Sequence, residues 1–292
     1  MNRGERVFVP AEALGIMSAR TLENSHPVLL DLLSSITSVL DVGCGPGILT
    51  AEIARRVDPA PVVGMDINPD MIRAAETTYA PGSIPNLVFY RGDIFESHWD
   101  EEFDVVNTTR MLQWIPNAAA AVKQMARAVA PGGLVVALDF DHTSAEWSHP
   151  PEAWTRFYSA FLAWRAGGGL DNALARRLPL LCEAAGLRSL RWQPQITTVV
   201  AGDADFFRVA GHWRMIAESR GRQMVAAGYI TEEERATAIS AFGEWMTRED
   251  AIQTLHEACI VARRPETSRC RARPRERTGR QPRSVSGRVL IR

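Results

Sequence analysis

Short runs of β-branched and other apolar residues alternate along the chain with longer segments in which apolar residues recur every three or four positions. The short runs predict buried strands, and the longer segments predict amphipathic helices. The predicted strands are Ser38 to Val42, Val62 to Asp66, Leu87 to Arg91, Phe103 to Thr108, Leu134 to Phe140, Leu187 to Val200 and Ala258 to Arg263. This alternation is typical of an α/β fold, a parallel sheet with helices on both faces.

Three helices are predicted between the early strands: one after Pro46 to Val57, one after Asn68-Pro69 to Tyr79, and one after Pro116 to Ala130. Asn68 before Pro69 has the chemistry of a helix cap followed by a first-turn proline. The sequence "APGG" at 130–133 predicts the end of the third helix and the turn into the next strand.

Two regions exceed what the sheet needs, and both are helical by pattern. One is an N-terminal cap over residues 1–35, and the other is an insertion over about 203–246. We expect both to cover the carboxyl edge of the sheet in the main domain, residues 36–263, because ligands of open α/β folds bind at that edge.

Composition and charge add two expectations. The 292 residues are 46% hydrophobic and 23% charged, without the roughly 18 consecutive apolar residues of a membrane helix or the apolar core of a signal peptide. A cytoplasmic protein with no membrane partner is expected. From residue 263 onward eleven arginines face two glutamates, so this end carries +9 and the rest of the chain −10. We predict a disordered Arg-rich tail over 264–292 and no nucleic-acid partner for the acidic body.

The stretch "VLDVGCGPGILT" combines a strand, a glycine turn and a helix start. Its spacing is GxGxG rather than the GxGxxG of dinucleotide-binding folds, which argues against NAD. Asp41 precedes Gly43, Gly45 and Gly47, and such a turn offers backbone N–H groups for a carboxylate and an anion for an ammonium. These are the two charges of an amino acid.

Two further acids stand at the ends of the next two strands. Asp66, in "VVGMDINPDMI", is placed to accept the hydroxyls of a ribose, as the corresponding acid does in dinucleotide folds. Asp93, in "YRGDIFE", can bond an adenine amino group with Ile94 beside the ring. An amino acid, a ribose and an adenine together describe S-adenosylmethionine.

The chain resembles the class I S-adenosylmethionine-dependent methyltransferases, in particular their small-molecule, ubiquinone-type branch. The matching blocks, in family order and at family spacing, are "VLDVGCGPG", "VVGMDINPDMI", "RGDIFE", "FDVVNTTRMLQWIPN" and "APGGLVVALDF". They cover about residues 36–140. The resemblance implies a Rossmann-like, doubly wound sheet of seven strands whose last strand is antiparallel.

The resemblance also implies roles for individual residues. Asp41 and the three glycines are expected to bind the methionyl end of the cofactor, and Asp66 the ribose. Asp93 and Ile94 are expected to bind the adenine, with Met65 or Ile67 beside the ring. Arg110 is expected near the reactive end. One departure is visible, since Trp114 and Asn117 stand where relatives often carry a histidine and an aspartate. A histidine base at position 114 is therefore excluded.

The substrate side is less strongly specified. Five aromatic residues, Trp154, Phe157, Tyr158, Phe161 and Trp164, form a stripe on one helix face, and we expect core packing for about half of them and one or two rings at a pocket mouth. His142 is the first candidate for a general base, with Tyr158 and His212 as weaker ones. Predicted substrate contacts are Met111, Trp114, Trp154, Phe157 and His212.

Scattered cysteines and histidines give no metal-ligand pattern, so no metal is expected. The leading hypothesis is methyl transfer to oxygen, nitrogen or carbon of a small molecule of secondary metabolism. A non-methylating cyclisation, elimination or hydrolysis on the same fold is the main alternative. A non-catalytic partner protein or a nucleic-acid modifier guided by the basic tail is the third, and a homodimer is left open.

Overall fold

The computed structural model describes residues 20–266, so most of the predicted N-terminal cap and nearly all of the predicted Arg-rich tail lie outside the described residues. Within this range one sheet forms the centre of the molecule. Its strands are β1 (Val39–Val42), β2 (Val62–Asp66), β3 (Leu87–Arg91), β4 (Phe103–Thr109), β5 (Val129–Phe140), β6 (Glu146–Trp147), β7 (Arg188–Val200) and β8 (Ile252–Arg263).

The strand order is β3-β2-β1-β4-β5-β8-β6, and β7 also pairs with β8. Strands β1 to β5 run parallel, whereas β8 is antiparallel to both β5 and β7. The predicted Rossmann-like sheet with an antiparallel last strand is confirmed. The two-residue β6 is an addition that the hydrophobic pattern did not show.

Helices cover both faces of the sheet, which is why the central strands are apolar on both sides. The helices are α1 (Leu22–Ser25), α2 (Pro27–Leu30), α3 (Ile48–Val57), α4 (Pro69–Thr78), α5 (Ala118–Ala128), α6 (Glu152–Gly167), α7 (Leu174–Ala184), α8 (Phe206–Ala226) and α9 (Glu232–Trp245). Leu40 and Val106 pack on one face, and their neighbours Val39 and Val105 pack on the other. None of these described helices has the length and apolar character that crossing a bilayer requires.

Local sequence explains where several helices begin. The Asn68 side chain accepts the Asp70 backbone N–H at the start of α4, with Pro69 in the first turn. Thr231 and Glu234 form a reciprocal capping box at the start of α9.

The "APGG" segment differs from its prediction as a helix end and turn. Helix α5 already ends at Ala128, and β5 starts at Val129. The Gly132 N–H bonds the Arg264 carbonyl, and the Arg264 N–H bonds the Gly133 carbonyl. This pairing with the chain after β8, in which Arg264 is 131 positions from Gly133, extends the strand through the glycines.

A third core, made largely of aromatic side chains, joins α6, α8 and α9 to the ends of β7 and β8. Trp154 stacks on Phe242 with ring centroids 3.9 Å apart. All five aromatic residues of the α6 stripe are buried here. Helices α8 and α9 occupy the region in which the sequence predicted a helical insertion.

Candidate functional site

A cavity of about 610 Å³ opens at the carboxyl ends of the parallel strands. Residues following β1, β2, β3, β4 and β5 line one side of it, and residues of α8 line the other. This is the edge at which open α/β folds bind ligands. Nearly all of the predicted cofactor residues line this cavity: Asp41, Gly43, Gly45, Asp66, Ile67, Asp93, Ile94 and Arg110.

The glycine loop is shaped by close approach. Gly43 has a φ of +74°, and a Cβ there would lie 2.4 Å from Met111 Cγ. Gly47 has a φ of +78°, and a Cβ there would lie 2.4 Å from the Phe89 ring. Only glycine tolerates both conditions. Gly47 does not line the cavity, so its predicted contact with the cofactor is corrected to a packing role against β3.

The N–H groups of the loop are bonded within the protein, contrary to the expectation that they would hold a carboxylate. Those of Gly43 and Cys44 donate to the Met65 carbonyl at 2.7 and 3.0 Å, and that of Gly45 donates to Asp66 Oδ2 at 2.9 Å. The loop is thereby fastened to the end of β2. The expectation of backbone donors for a carboxylate is therefore not met by these three groups.

Asp41 is buried at the cavity floor and held by two donors. Thr50 Oγ1 donates to its Oδ2 at 2.6 Å, and Asn107 Nδ2 donates to its Oδ1 at 2.8 Å. Burial raises the pKa of Asp41, and these hydrogen bonds oppose the shift. Two acceptor positions on the carboxylate remain for an ammonium.

A histidine stands behind this pair. Because the Asn107 amide group donates to Asp41, its Oδ1 faces His26 Nε2 at 3.1 Å, and the histidine must be the donor. Burial lowers the pKa of His26 to about 3, so the ring is neutral. The sequence reading missed Thr50, Asn107 and His26, although Asn107 is the register partner of Asp41 on β4 and was a polar residue in an apolar strand.

Asp66 has the arrangement expected for binding paired hydroxyls. Its Oδ2 accepts the Gly45 N–H, and its Oδ1 accepts the Asn68 N–H at 2.8 Å. Each oxygen keeps one acceptor position toward the cavity. Burial raises the pKa of Asp66, which these backbone donors oppose.

Arg110 lies where the strand ends meet the cover, with a φ of +58°. Its guanidinium binds Glu257 of β8 through two contacts, one of them Nη2 to Oε2 at 2.8 Å. Burial acts to lower the pKa of Arg110, but Glu257 more than offsets this and raises it. Glu257 was not predicted from the sequence, because the pair joins residues 147 positions apart.

His142 is in the wall of the cavity, and its tautomer follows from Gln113. The Gln113 amide nitrogen donates to the Arg110 carbonyl, which turns its Oε1 toward His142 Nε2 at 2.7 Å. Nε2 therefore carries the proton, and Nδ1 is a buried acceptor without a partner among residues 20–266. Burial, then Arg165 and His212, keep the pKa of His142 well below 6.5, so the ring is neutral.

Other predicted substrate residues separate into two groups. Met111, Trp114 and His212 line the cavity, and burial lowers the pKa of His212 to about 3. Trp154 and Phe157 do not line it, nor does any other ring of the α6 stripe, so the expectation of a stripe ring at the pocket mouth is wrong.

Tyr158 is also corrected. Its hydroxyl donates to the His142 carbonyl at 2.7 Å, and burial raises its pKa above the ordinary value. It is a buried donor that supports the His142 backbone and does not face a ligand.

Trp114 is positioned by two arginines. The guanidinium carbons of Arg165 and Arg220 lie 4.9 and 4.5 Å from the Trp114 ring centroid. Arg165 also donates to the Gln113 carbonyl at 3.0 Å. The departure from the relatives' histidine at position 114 thus places a ring held by cation–π contacts in the cavity wall.

Comparisons with known proteins agree with this geometry. Residues 33–169 match a family model described as a methyltransferase domain. A trans-aconitate 2-methyltransferase of Methylobacterium radiotolerans is 31% identical over 203 residues, which are 70% of this chain and 68% of that protein. A ubiquinone biosynthesis O-methyltransferase of Methylobacterium nodulans is 37% identical over 120 residues, 40% of this chain and 45% of that protein.

Among solved structures, the [4+2]-cyclase SpnF has a similar fold, with a TM-score of 0.52 and 19% sequence identity. The superposition covers 86% of this chain and 84% of the cyclase. At this identity the similarity concerns the fold alone.

Proposed function

The chain belongs to the class I methyltransferases that use S-adenosylmethionine, and from this premise we propose that it methylates oxygen, nitrogen or carbon of a small molecule of secondary metabolism. The observation that carries the proposal is the cavity itself, in which Asp41 of β1, Asp66 at the end of β2 and Asp93 after β3 share one space with a buried histidine. Its aromatic cover favours a small acceptor over a polymer. The cytoplasmic location expected from the sequence remains a prediction.

The residues present fit the cofactor, which supplies a methyl group on a sulfonium. Asp41 is the acceptor for its ammonium, Asp66 for the ribose hydroxyls and Asp93 for the adenine amino group, with Ile67 and Ile94 beside the ring. Met111 packs against Gly43 of the loop and also lines the cavity. The chain contributes mainly positioning, from which effective-molarity gains of roughly 7 to 11 kcal/mol are available.

We propose His142 as the residue that contacts the group to be methylated. Its unprotonated Nδ1 can accept a hydrogen bond from a hydroxyl and orient the oxygen lone pair for in-line attack. This favours a hydroxyl as the acceptor group among the three possibilities. Gln113 fixes the tautomer and is a positioning residue.

Two measurements test the proposal. Isothermal titration should show binding of S-adenosylhomocysteine to the wild-type chain. The Kd should rise at least tenfold in Asp66→Ala and stay unchanged in Asp70→Ala, because the Asp70 side chain is exposed on α4. Absence of binding to the wild-type chain would overturn it.

Turnover of a panel of small hydroxylated compounds is then followed by mass spectrometry. A gain of one methyl group with release of S-adenosylhomocysteine supports methyl transfer. An unmethylated, rearranged product would instead support the alternative of cyclisation, elimination or hydrolysis, and cofactor binding without turnover of any compound would point to a non-catalytic role.

A further inference from the structure

A buried series of hydrogen bonds connects the first two described helices to the cofactor site. His26 lies at the junction of α1 and α2 and is fully buried. Its Nε2 contacts Asn107 Oδ1 at 3.1 Å, and Asn107 Nδ2 donates to Asp41 Oδ1 at 2.8 Å. We call these three residues the His26 network. It leads from helices outside the sheet to the carboxylate that we assign to the cofactor ammonium.

The Asn107 side chain has one favourable orientation in this network. Besides Asp41, its Nδ2 donates to Thr109 Oγ1 at 3.3 Å, so both protons of the amide have acceptors. Its oxygen accepts from the His26 ring. A half-turn of the amide would lose both donations and place the oxygen against the Asp41 carboxylate.

The His26 ring is held in place by its own backbone. The His26 N–H donates to the Leu22 carbonyl at 2.8 Å, and the His26 carbonyl accepts the N–H groups of Leu29 and Leu30 at 3.1 and 3.2 Å. Helix α1 is fastened in turn to α3, because the Leu22 N–H donates to Glu52 Oε2 at 2.7 Å. The position of the ring therefore follows from the docking of both helices.

His26 supplies a donor without supplying a charge. Burial, then the positive charge of Arg110, lower the pKa of His26 to about 3, which the hydrogen bond with Asn107 opposes. The neutral ring carries a single proton, and the Asn107 oxygen requires it on Nε2. A cationic donor at this place would add positive charge near the ammonium site and compete for Asp41.

Asp41 depends on its donors because it is buried. Burial raises the pKa of Asp41, and the hydrogen bonds from Thr50 and Asn107 oppose this shift. If the Asn107 amide lost its orientation, one of these two side-chain donors would be lost. The charged form of the carboxylate, which an ammonium requires, would then be disfavoured.

We propose that His26 is a positioning residue for cofactor binding, which donates to Asn107 and thereby keeps the amide donor of Asn107 on Asp41. The role is indirect, since neither His26 nor Asn107 lines the cavity. This proposal rests on the proposed function, in which Asp41 binds the cofactor ammonium, and extends that site to the α1–α2 junction.

The test uses isothermal titration with two probes. S-adenosylhomocysteine carries the ammonium, whereas 5′-methylthioadenosine has the adenosine and the sulfur but lacks the amino acid. In His26→Phe and in His26→Leu, the Kd of S-adenosylhomocysteine should rise about tenfold, because an oriented donor to Asp41 is lost. The Kd of 5′-methylthioadenosine should stay unchanged. The two substitutions differ in size, so an equal effect assigns the loss to the hydrogen bond.

His26→Gln should recover most of the affinity for S-adenosylhomocysteine, since its amide nitrogen reaches a position similar to that of Nε2. Leu29→Ala is the matched control. Leu29 is a fully buried residue of α2, and its loss should lower the free energy of unfolding without changing the ratio of the two Kd values.

A double-mutant cycle tests whether His26 acts through Asn107. In the Asn107→Leu background, His26→Phe should cause no further rise in the Kd of S-adenosylhomocysteine, because the step between His26 and Asp41 is already missing.

Three results would overturn the proposal. The first is that both probes weaken equally in His26→Phe and His26→Leu, which would show general damage to the fold. The second is an unchanged Kd of S-adenosylhomocysteine in these variants, and the third is a further full loss of affinity in the Asn107→Leu background. Failure of the wild-type chain to bind S-adenosylhomocysteine is a separate outcome and contradicts the methyltransferase function itself. Equal wild-type affinities for the two probes would contradict the assignment of Asp41 to the ammonium, and with it this proposal.

Discussion

Gln113 Oε1 lies 2.7 Å from His142 Nε2, and this contact places the proton of the histidine on Nε2 and leaves Nδ1 unprotonated. Gln113 is itself fixed, since its amide nitrogen donates to the Arg110 carbonyl and its backbone carbonyl accepts from Arg165. Contacts with Arg110 and Arg165 thus hold Gln113 in place, and Gln113 in turn fixes the tautomer of His142.

Replacing either residue should therefore affect turnover more than cofactor binding. We expect His142→Phe to lower kcat on a hydroxyl substrate by about 10²–10⁴-fold, the usual contribution of a positioned acid or base. Gln113→Leu should lower kcat by a smaller factor, about tenfold, because the ring remains but its tautomer is no longer fixed.

Steady-state kinetics with parallel titration of S-adenosylhomocysteine would check this pair. His149→Phe is the control, because His149 is exposed beyond β6. Unchanged kcat in His142→Phe would show that the acceptor group needs no partner at this position.

Asn107 should be required for cofactor affinity, because it holds Asp41 in place from the neighbouring strand. Asn107→Leu removes a donor from a buried carboxylate, which further disfavours the charged form needed to bind an ammonium. We expect the Kd of S-adenosylhomocysteine to rise at least tenfold. Asn86→Leu is the control, since Asn86 is outside the cavity lining and donates to the Ala54 and Ala60 carbonyls, so its loss should lower stability without weakening cofactor binding. Equal Kd values in the two variants would contradict this role.

The sequence predicted most of the sheet and the acids at its strand ends because these features are local. Asp41, Asp66 and Asp93 each lie at or near the end of a run that the sequence predicts as a strand, and parallel strands end at a common edge. The partners of these residues were not predictable in the same way. The contacts of His26 with Asn107 and of Arg110 with Glu257 join distant segments, and nothing in the local pattern marks them.

For the α6 stripe, the sequence pattern identified the helix face but not what that face contacts. Its spacing identified one helix face, but the same face can pack on a core or line a pocket. Helices α8 and α9 decided the outcome by covering Trp154 and Phe157. That choice depends on tertiary packing and is not contained in the periodicity.

Asp139 should make stability depend on pH. Its pKa of about 7 in the native state exceeds the ordinary 3.8, so the native state binds this proton more tightly than the unfolded chain does. The resulting stabilisation is complete below pH 4 and is lost as the pH rises toward 7. Relative to Asp139→Asn, the wild type should lose a few kcal/mol of unfolding free energy across this window. Urea unfolding at several pH values measures the difference, and a difference independent of pH would contradict the assignment.

Gly47 should tolerate substitution less well than Gly82, although both have a positive φ. An alanine Cβ at Gly82 meets no atom within 4 Å, so Gly82→Ala should lower the free energy of unfolding only through its left-handed backbone conformation, by about 1 kcal/mol. Alanine at Gly47 would in addition force its Cβ to 2.4 Å from the Phe89 ring, and overpacking of this kind costs typically 1–3 kcal/mol more. Equilibrium unfolding of the two variants gives the comparison. Equal losses would mean that Phe89 moves aside without cost.

The two tryptophans Trp154 and Trp114 separate stability from substrate recognition. Trp154 is fully buried against Phe242 and away from the cavity, so Trp154→Leu should lower the unfolding free energy by several kcal/mol and leave KM for the acceptor unchanged. Trp114 faces the cavity, and Trp114→Leu removes both the apolar wall and the ring beneath Arg220. We expect at least a fivefold rise in KM from this second variant, with a smaller loss of stability. Thermal unfolding and initial rates, measured on the same preparations, check both expectations. If Trp154→Leu raised KM as much as Trp114→Leu does, the aromatic core, and not the cavity wall, would set the affinity for the methyl acceptor.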